Sequence, residues 1–502
     1  MINILDRVPT SLQSKIVTAE EAAAKIKAGD KIGISGFTPS GYPKAVPLAL
    51  AERMEKEPFK VDLWTGASVG DEADGALARV NGINRRFPYQ TNKDLRNRIN
   101  AGDINYIDQH LSHTAQMVRY GFFGQPDWAI VEAAEIVECN GTVGIIPTTS
   151  VGNSPTFVSQ AKQVIVEVNV TQPLSLKGMH DIYEPLDPPH REPIPMKTAG
   201  DRIGTEYIPV DPAKIVAIVP CDKPDKTRPL GAIDDDAKKM SAHLIEFFNN
   251  EIKQGRLPQN LLPLQSGVGS VANAVISGLA EGPFKDLSVF TEVIQDGMFD
   301  LIDAGKANLI SGTALSPSPE GLKRFYDNID EYRKIIVLRP QEISNNPGLS
   351  RRLGVISMNT AIEFDIYGNV NSTHICGTKM MNGIGGSGDF TRNAYISIFC
   401  TSSIAKNGDI SSIVPFCSHI DHTEHDVQVF CTEQGIADVR GLSPKEKAKV
   451  IIENCAHPDY KPMLFDYLER ATAATKNAQT PHILDEALSW HTRFLQTGTM
   501  KK

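Results

Sequence analysis

The 502-residue chain has little cysteine, seven residues at scattered positions, and only three tryptophans. So few thiols in so long a chain exclude a disulfide-built framework and fit a reduced, intracellular protein. Positive charge is also short: 51 Lys and Arg stand against 60 Asp and Glu, a net charge of −9. A phosphate-tracking surface needs a basic face, so nucleic acid is not an expected partner. An anionic small substrate responds only to local charge and stays open. No apolar run approaches the ~18 residues of a membrane span. The opening MINILDRVPTSLQSK lacks a charged segment followed by an apolar one, and Arg7 is its only arginine. Neither a secretory nor a transit signal is expected, and the predicted location is cytoplasmic.

What the chain does have is alternation. A capping box at Thr18 and Glu21 opens a helix predicted to stop at Gly29. Strand-like KIGISGF, helical YPKAVPLALAERMEKE and strand-like KVDLWTGAS follow. This βαβ order predicts a parallel sheet covered on both faces. DWAIVEA, QVIVEVN and KIVAIVP add buried strands rich in Val and Ile. From Pro220, PCDKPDKTRPLGAIDDD is polar and aperiodic and reads as a linker. A long helix in DAKKMSAHLIEFFNNEIKQG and the strands LSVFTEV, ANLISGT and KIIVLRP then resume the pattern. EFDIYGNVNST has the alternation and turn residues of antiparallel strands. AYISIFC, ISSIVPF and a helix in SPKEKAKVIIENCA complete the second half. The predicted architecture is two open α/β domains of similar size, residues 1–220 and 236–502, joined by 221–235.

Four constellations can carry chemistry. In LQSGVGSVANAV, Gly267, Gly269 and Ala272 match the loose dinucleotide pattern, and Glu292 lies 23 residues past Gly269, as a ribose ligand would. Two prolines in the preceding RLPQNLLPLQS make that stretch a poor central strand and weaken a nicotinamide reading. Closely spaced glycines before a helix still let backbone N–H groups approach an anion. NGIGGSGDF packs four glycines between Gly383 and Gly388, too many for an element interior. It reads as a flexible turn or as a rigid loop aiming amides at a carbonyl oxygen, with Lys379 and Lys406 as flanking candidates for phosphates. Cys417, His419, His422 and His425 have metal-ligand chemistry, but no second ligand pair accompanies them, and no metal is expected. Glu292 and Glu433 each end an apolar stretch; they read either as a pair serving one site or as separate structural charges.

Several blocks resemble one family. LLPLQSGVGSVANAV, TEVIQDGM, RRLGVISMNTAIEFDIYGNVNST, KMMNGIGGSGDF, CTEQG, ADVRGLSP and CAHPDY are similar to the acetyl-CoA hydrolase/transferase family, a branch of the class I CoA-transferases. SGFTPSGYPKAVP, TGASVG, RNRINAG and SVGNS carry the likeness through the N-terminal half. The likeness is greatest to the succinyl-CoA:acetate CoA-transferase branch. It implies an active site in the cleft between the two domains and a homodimer. It implies Glu292 as nucleophile, Gly386 at an oxyanion site, Asn345 as a side-chain donor and Glu433 as a supporting carboxylate. Gln265, Ser266, Gly267, Val268, Gly269, Asn382, Gly386 and Lys406 would contact coenzyme A, which is a substrate rather than a resident cofactor. Acyl-glutamyl anhydride and glutamyl-CoA thioester intermediates follow, or hydrolysis of acetyl-CoA by the same glutamate. Ser68 and Thr91 are candidates to hold the acceptor carboxylate, with Lys226 or Arg228 as a basic partner for a dicarboxylate.

Overall fold

The computed structural model describes residues 4–501 apart from 140, 228, 230, 232 and 268, so Val268 and Arg228, both expected at the site, lie outside the described residues. Seven parallel strands form the first sheet: β1 (Lys31–Ile34), β2 (Val61–Trp64), β3 (Ile83–Phe87), β4 (Asn105–Tyr106), β5 (Trp128–Ala133), β6 (Gln163–Asn169) and β7 (Ile215–Cys221). Their spatial order is β7-β6-β5-β1-β2-β3-β4, so the strand order reverses between β1 and β5. β5 is buried along its whole length, as its continuous apolar run requires of a strand covered on both faces.

The second sheet has eight strands: β8 (Leu264–Ser266), β9 (Leu287–Phe290), β10 (Ala307–Gly312), β11 (Ile336–Leu338), β12 (Ile356–Thr360), β13 (Ile396–Cys400), β14 (Val429–Thr432) and β15 (Gly435–Asp438). The order is β11-β10-β9-β8-β12-β13-β14-β15, parallel except for the final β14–β15 hairpin. Here the reversal lies between β8 and β12. In open parallel sheets the crevice outside the carboxyl ends of the strands at such a reversal is where ligands bind.

Local predictions meet the structure unevenly. Thr18 and Glu21 do form a reciprocal capping box, but the helix covers only Ala19–Ala23 and does not reach Gly29. The EFDIYGNVNST stretch is antiparallel, Glu363–Asp365 pairing with Val370–Asn371. LQS is a central strand after all: Pro263 immediately precedes β8 and Pro258 lies farther out, so neither removes a ladder hydrogen bond from it. ISSIVPF splits into two dipeptide strands, Ile410–Ser411 and Ile413–Val414, outside the main sheet.

The segment between β7 and the helix Asp235–Lys253 is tied into the first half. Asp225 is buried, pairing with Lys44 Nζ at 2.9 Å and accepting from Thr149 Oγ1 and from Gly41 N. Lys44 also meets Glu132 of β5 at 2.5 Å. Glu167 of β6 accepts from the backbone N–H of Lys44, Ala45 and Val46, anchoring the start of helix Ala45–Lys56. The reversal point of the first sheet is thus filled by charged groups of the chain itself. Among the described residues no helix is long and apolar enough to cross a membrane.

Candidate active site

A cleft of about 450 Å³ lies where the carboxyl ends of the two sheets meet. Its first-half wall comes from loops after β1 (Phe37, Thr38, Pro39), β2 (Ala67) and β3 (Tyr89, Thr91). Its second-half wall comes from Gln265 in β8, Gly267 and Gly269 just after it, Glu292 after β9, Asn359 to Ile362 around the end of β12, and Asn382 to Ser387.

Glu292 sits where β9 ends and the chain steps into the short strand Val293–Ile294. Its backbone carbonyl accepts from Thr313 N at 2.8 Å and Ala314 N at 3.2 Å, so the main chain beneath the carboxylate is fixed. The side chain keeps one face toward the cleft, and Oε1 accepts from Asn345 Nδ2 at 2.7 Å. Burial pushes the carboxyl up to about 7, against the opposing pull of the Asn345 amide. Near neutrality the free site therefore holds a mixture of acid and carboxylate.

Gly386 lies directly against this group. A Cβ there would come 1.5 Å from Glu292 Oε1 and 2.1 Å from Asn345 Nδ2, so only glycine fits. The glycine stretch is not slack, because side-chain and main-chain groups of the first half hold it along its length. Asn100 brackets Met380, donating to its carbonyl at 2.8 Å and accepting from its N–H at 3.0 Å. The Tyr106 hydroxyl donates to Asn382 O at 2.7 Å, Asp108 accepts from Ile384 N at 2.9 Å, and Leu111 N donates to Gly385 O at 3.2 Å. Gly385, at φ +60°, makes the left-handed turn that brings Gly386 to the carboxylate.

The β8 turn differs from a simple anion nest. Gly267 N–H already donates to Met358 O at 2.8 Å, across the reversal point. Gln265 and Asn359 pair their amides at 3.2 Å at the cleft floor, and Ser266 is buried beneath them, its N–H reaching Thr291 Oγ1 at 3.4 Å. Asn382 faces the cleft with a buried Oδ1 that has no hydrogen-bond partner among the described residues. On the opposite wall Thr91 lines the cleft, its hydroxyl 2.8 Å from that of Ser68, which is buried and does not line the cleft. Phe37, Ala67, Leu111, Val293 and Ala314 form a small apolar cluster, with Tyr89 packed on it.

Other predicted residues stand elsewhere. Glu433 is absent from the cleft wall; it accepts from Ser403 N at 2.8 Å and Gln434 Nε2 at 2.9 Å. Burial alone would raise its carboxyl, yet these bonds hold it below the usual range. Lys406 is exposed, its ammonium 4.7 Å from the Phe494 ring centre, and Lys379 is exposed on a two-stranded ribbon. Lys226 pairs with Glu72 at 2.5 Å and does not line the cleft. The Cys417–His425 set is dispersed. Cys417 Sγ meets Asn369 O, His419 meets Asp421, and His422 meets Ser387 Oγ. Among the described residues no cluster suited to a metal ion is present.

The sequence reading missed Asp389 and Ser112. Asp389 is buried three residues past Gly386, and Ser112 reaches it from the first half. Asp389 follows the glycines it supports, a hint in hindsight, but nothing local announces a partner so distant in sequence.

Comparison with known proteins places the chain in a family. Residues 6–220 match the acetyl-CoA hydrolase/transferase N-terminal domain and residues 321–468 the C-terminal domain. The chain is 59% identical over 492 residues to a succinyl-CoA:acetate CoA-transferase of Clostridium kluyveri, covering 98% of this chain and 91% of that protein. It is 46% identical over 506 residues to an acetyl-CoA hydrolase of Eremothecium gossypii, covering 97% and 96%. The crystal structure of RipA from Yersinia pestis superposes with a TM-score of 0.69 at 23% identity, over 93% of this chain and 98% of that one, a likeness of fold. Two domain matches and extensive identity across the whole length establish that the chain belongs to the acetyl-CoA hydrolase/transferase family.

Proposed function

We propose that the protein moves coenzyme A between succinyl-CoA and acetate, giving acetyl-CoA and succinate, with Glu292 as the nucleophile. The observation that carries the reading is a carboxylate at the end of β9, open to a cleft, with Asn345 Nδ2 at 2.7 Å. The 59% identity to a transferase of that name supports the substrate pair.

Ionised Glu292 attacks the thioester carbonyl carbon; the C–S bond breaks, leaving CoA thiolate and a mixed anhydride. The thiolate attacks the glutamyl carbonyl, the anhydride C–O bond breaks, and the first carboxylate departs, leaving a glutamyl-CoA thioester. An incoming carboxylate runs the two steps in reverse. Each step conserves acyl activation, so the scheme calls for no metal and no permanently bound cofactor. Each tetrahedral oxyanion needs a donor placed in advance, worth on the order of 3–4 kcal/mol. Asn345 supplies an N–H beside the reacting carbon, and Gly386 leaves room for the developing oxygen. The Asn382 Oδ1 acceptor suits an amide N–H of the CoA arm. The Thr91 hydroxyl, backed by Ser68, suits the acceptor carboxylate. The apolar cluster around Phe37 and Ala67 suits a short acyl chain and helps exclude water.

Hydrolysis of acetyl-CoA by the same glutamate is the second reading, supported by the hydrolase relative at 46% identity. Incubation with acetyl-CoA alone, borohydride treatment and peptide mapping tests the chemistry: modification confined to the Glu292 peptide supports it, and an unmodified protein refutes it. Assays with succinyl-CoA and with acetate or water as acceptor separate the readings. A rate independent of added acetate makes the protein a hydrolase.

A further inference from the structure

We propose that Asp389 is a positioning residue that fixes the Asn345 amide against Glu292 and is itself latched by Ser112 from the first half; the inference rests on the glutamate-nucleophile reading above. Asn345 Nδ2 stands 2.7 Å from Glu292 Oε1 and 3.4 Å from Asp389 Oδ2. On its other side, Asn345 Oδ1 accepts from Ser344 Oγ at 2.9 Å. A primary amide has donors on nitrogen and an acceptor on oxygen, so two carboxyls facing the nitrogen hold the group one way round. Turning it over would set an oxygen against both.

Asp389 is held in turn. Ser112 N donates to Oδ2 at 3.0 Å and Ser112 Oγ to Oδ1 at 2.6 Å. Ser112 follows Leu111, whose N–H binds Gly385 O, so one helix start of the first half grips both the loop and the carboxyl behind the loop.

Burial pushes the Asp389 carboxyl up to about 8; the Ser112 bonds oppose this and the Glu292 charge adds to it. The other titratable groups nearby do not offset it. His110 and His422 flank Gly388 and, like His113, are lowered by burial and therefore neutral. Arg351, Arg352 and Arg392 are exposed. Near neutrality Asp389 is an acid that leaves the Asn345 amide to Glu292. Ionised, it becomes a rival anion for the same donor.

The test is kcat and kcat/KM with acetyl-CoA from pH 6 to 9.5 for wild type, D389A, D389N, N345A and N345A/D389A, with circular dichroism confirming the fold of each. D389A lowers kcat by about 30-fold or more while KM stays within about threefold, as expected when a reacting group is misplaced. N345A/D389A is no slower than N345A alone, because Asp389 acts through Asn345. D389N, an isostere of the protonated acid, recovers most of the D389A loss and lacks the alkaline limb near pH 8. Should D389A fail to fold, S112A reads the same contact from the other side: without the Ser112 hydroxyl, the alkaline limb moves to higher pH. Multiplying losses in the double variant, or an alkaline limb unmoved in D389N and S112A, overturn the proposal. Absence of any Glu292 adduct in the wild type is a different result, which overturns the nucleophile reading itself.

Discussion

Gly386 and Glu292 are in contact so close that a single methyl group cannot be placed between them; a Cβ on Gly386 would lie 1.5 Å from Oε1. Gly386 has an unstrained backbone, φ −96°, so the demand for glycine there is spatial and not conformational. Gly386→Ala is expected to cut kcat by about 10³-fold or more, because a reacting carboxylate displaced by ~1 Å already costs about 10². Steady-state kinetics alongside an unchanged far-ultraviolet spectrum checks this.

The acid limb of kcat/KM should report Glu292. Its carboxyl is held up to about 7, so the nucleophilic form is lost as pH falls through that value, and the rate drops about tenfold per pH unit below it. The Asn345 amide is the opposing influence, so Asn345→Ala should move this limb to higher pH as well as lower kcat. A limb near pH 4.5 would show that the free site leaves Glu292 well solvated.

The same burial has a cost in stability. A carboxyl with a raised folded pKa binds its proton more tightly in the folded state. Stability therefore falls as pH rises from the unfolded value near 4.5 through the folded value near 7, and the full penalty applies above that. Glu292→Gln should raise the apparent unfolding midpoint at pH 8 by a few degrees, and the gain should vanish near pH 5. Differential scanning calorimetry at both pH values decides.

Loop anchoring is separable from the chemistry. Tyr106→Phe removes the hydroxyl that holds Asn382 O, and Asp108→Ala removes the acceptor of Ile384 N. Each is expected to lower kcat by about 2–13-fold, since one hydrogen bond is worth about 0.5–1.5 kcal/mol. Amide hydrogen exchange should rise across residues 382–386 and not at β9.

Most strands were legible because parallel strands buried on both faces are short unbroken runs of Val and Ile, as in β5, β6 and β7. β8 was not, since three residues carry too little pattern to outweigh nearby prolines. Glu292 stood out as a charge ending an apolar run. Gly386 and Asn382 stood out through glycine density and family likeness. Asp389, Ser112, Tyr106 and Asp108 did not, because each matters through a partner far along the chain. Glu433 and Lys406 have Ser403 and Phe494 as neighbours in space, contacts that composition alone does not reveal.

Asp225 lies outside both sheets, yet it neutralises Lys44 beneath β1. This decides where the polypeptide tolerates a break. Two fragments cut upstream of Asp225 would leave the first with a buried ammonium short of one counter-ion and the second with a stray carboxylate. Cut just beyond Thr227, the first fragment keeps its electrostatic closure whole, so a break is better tolerated there than where the last strand of the first sheet ends.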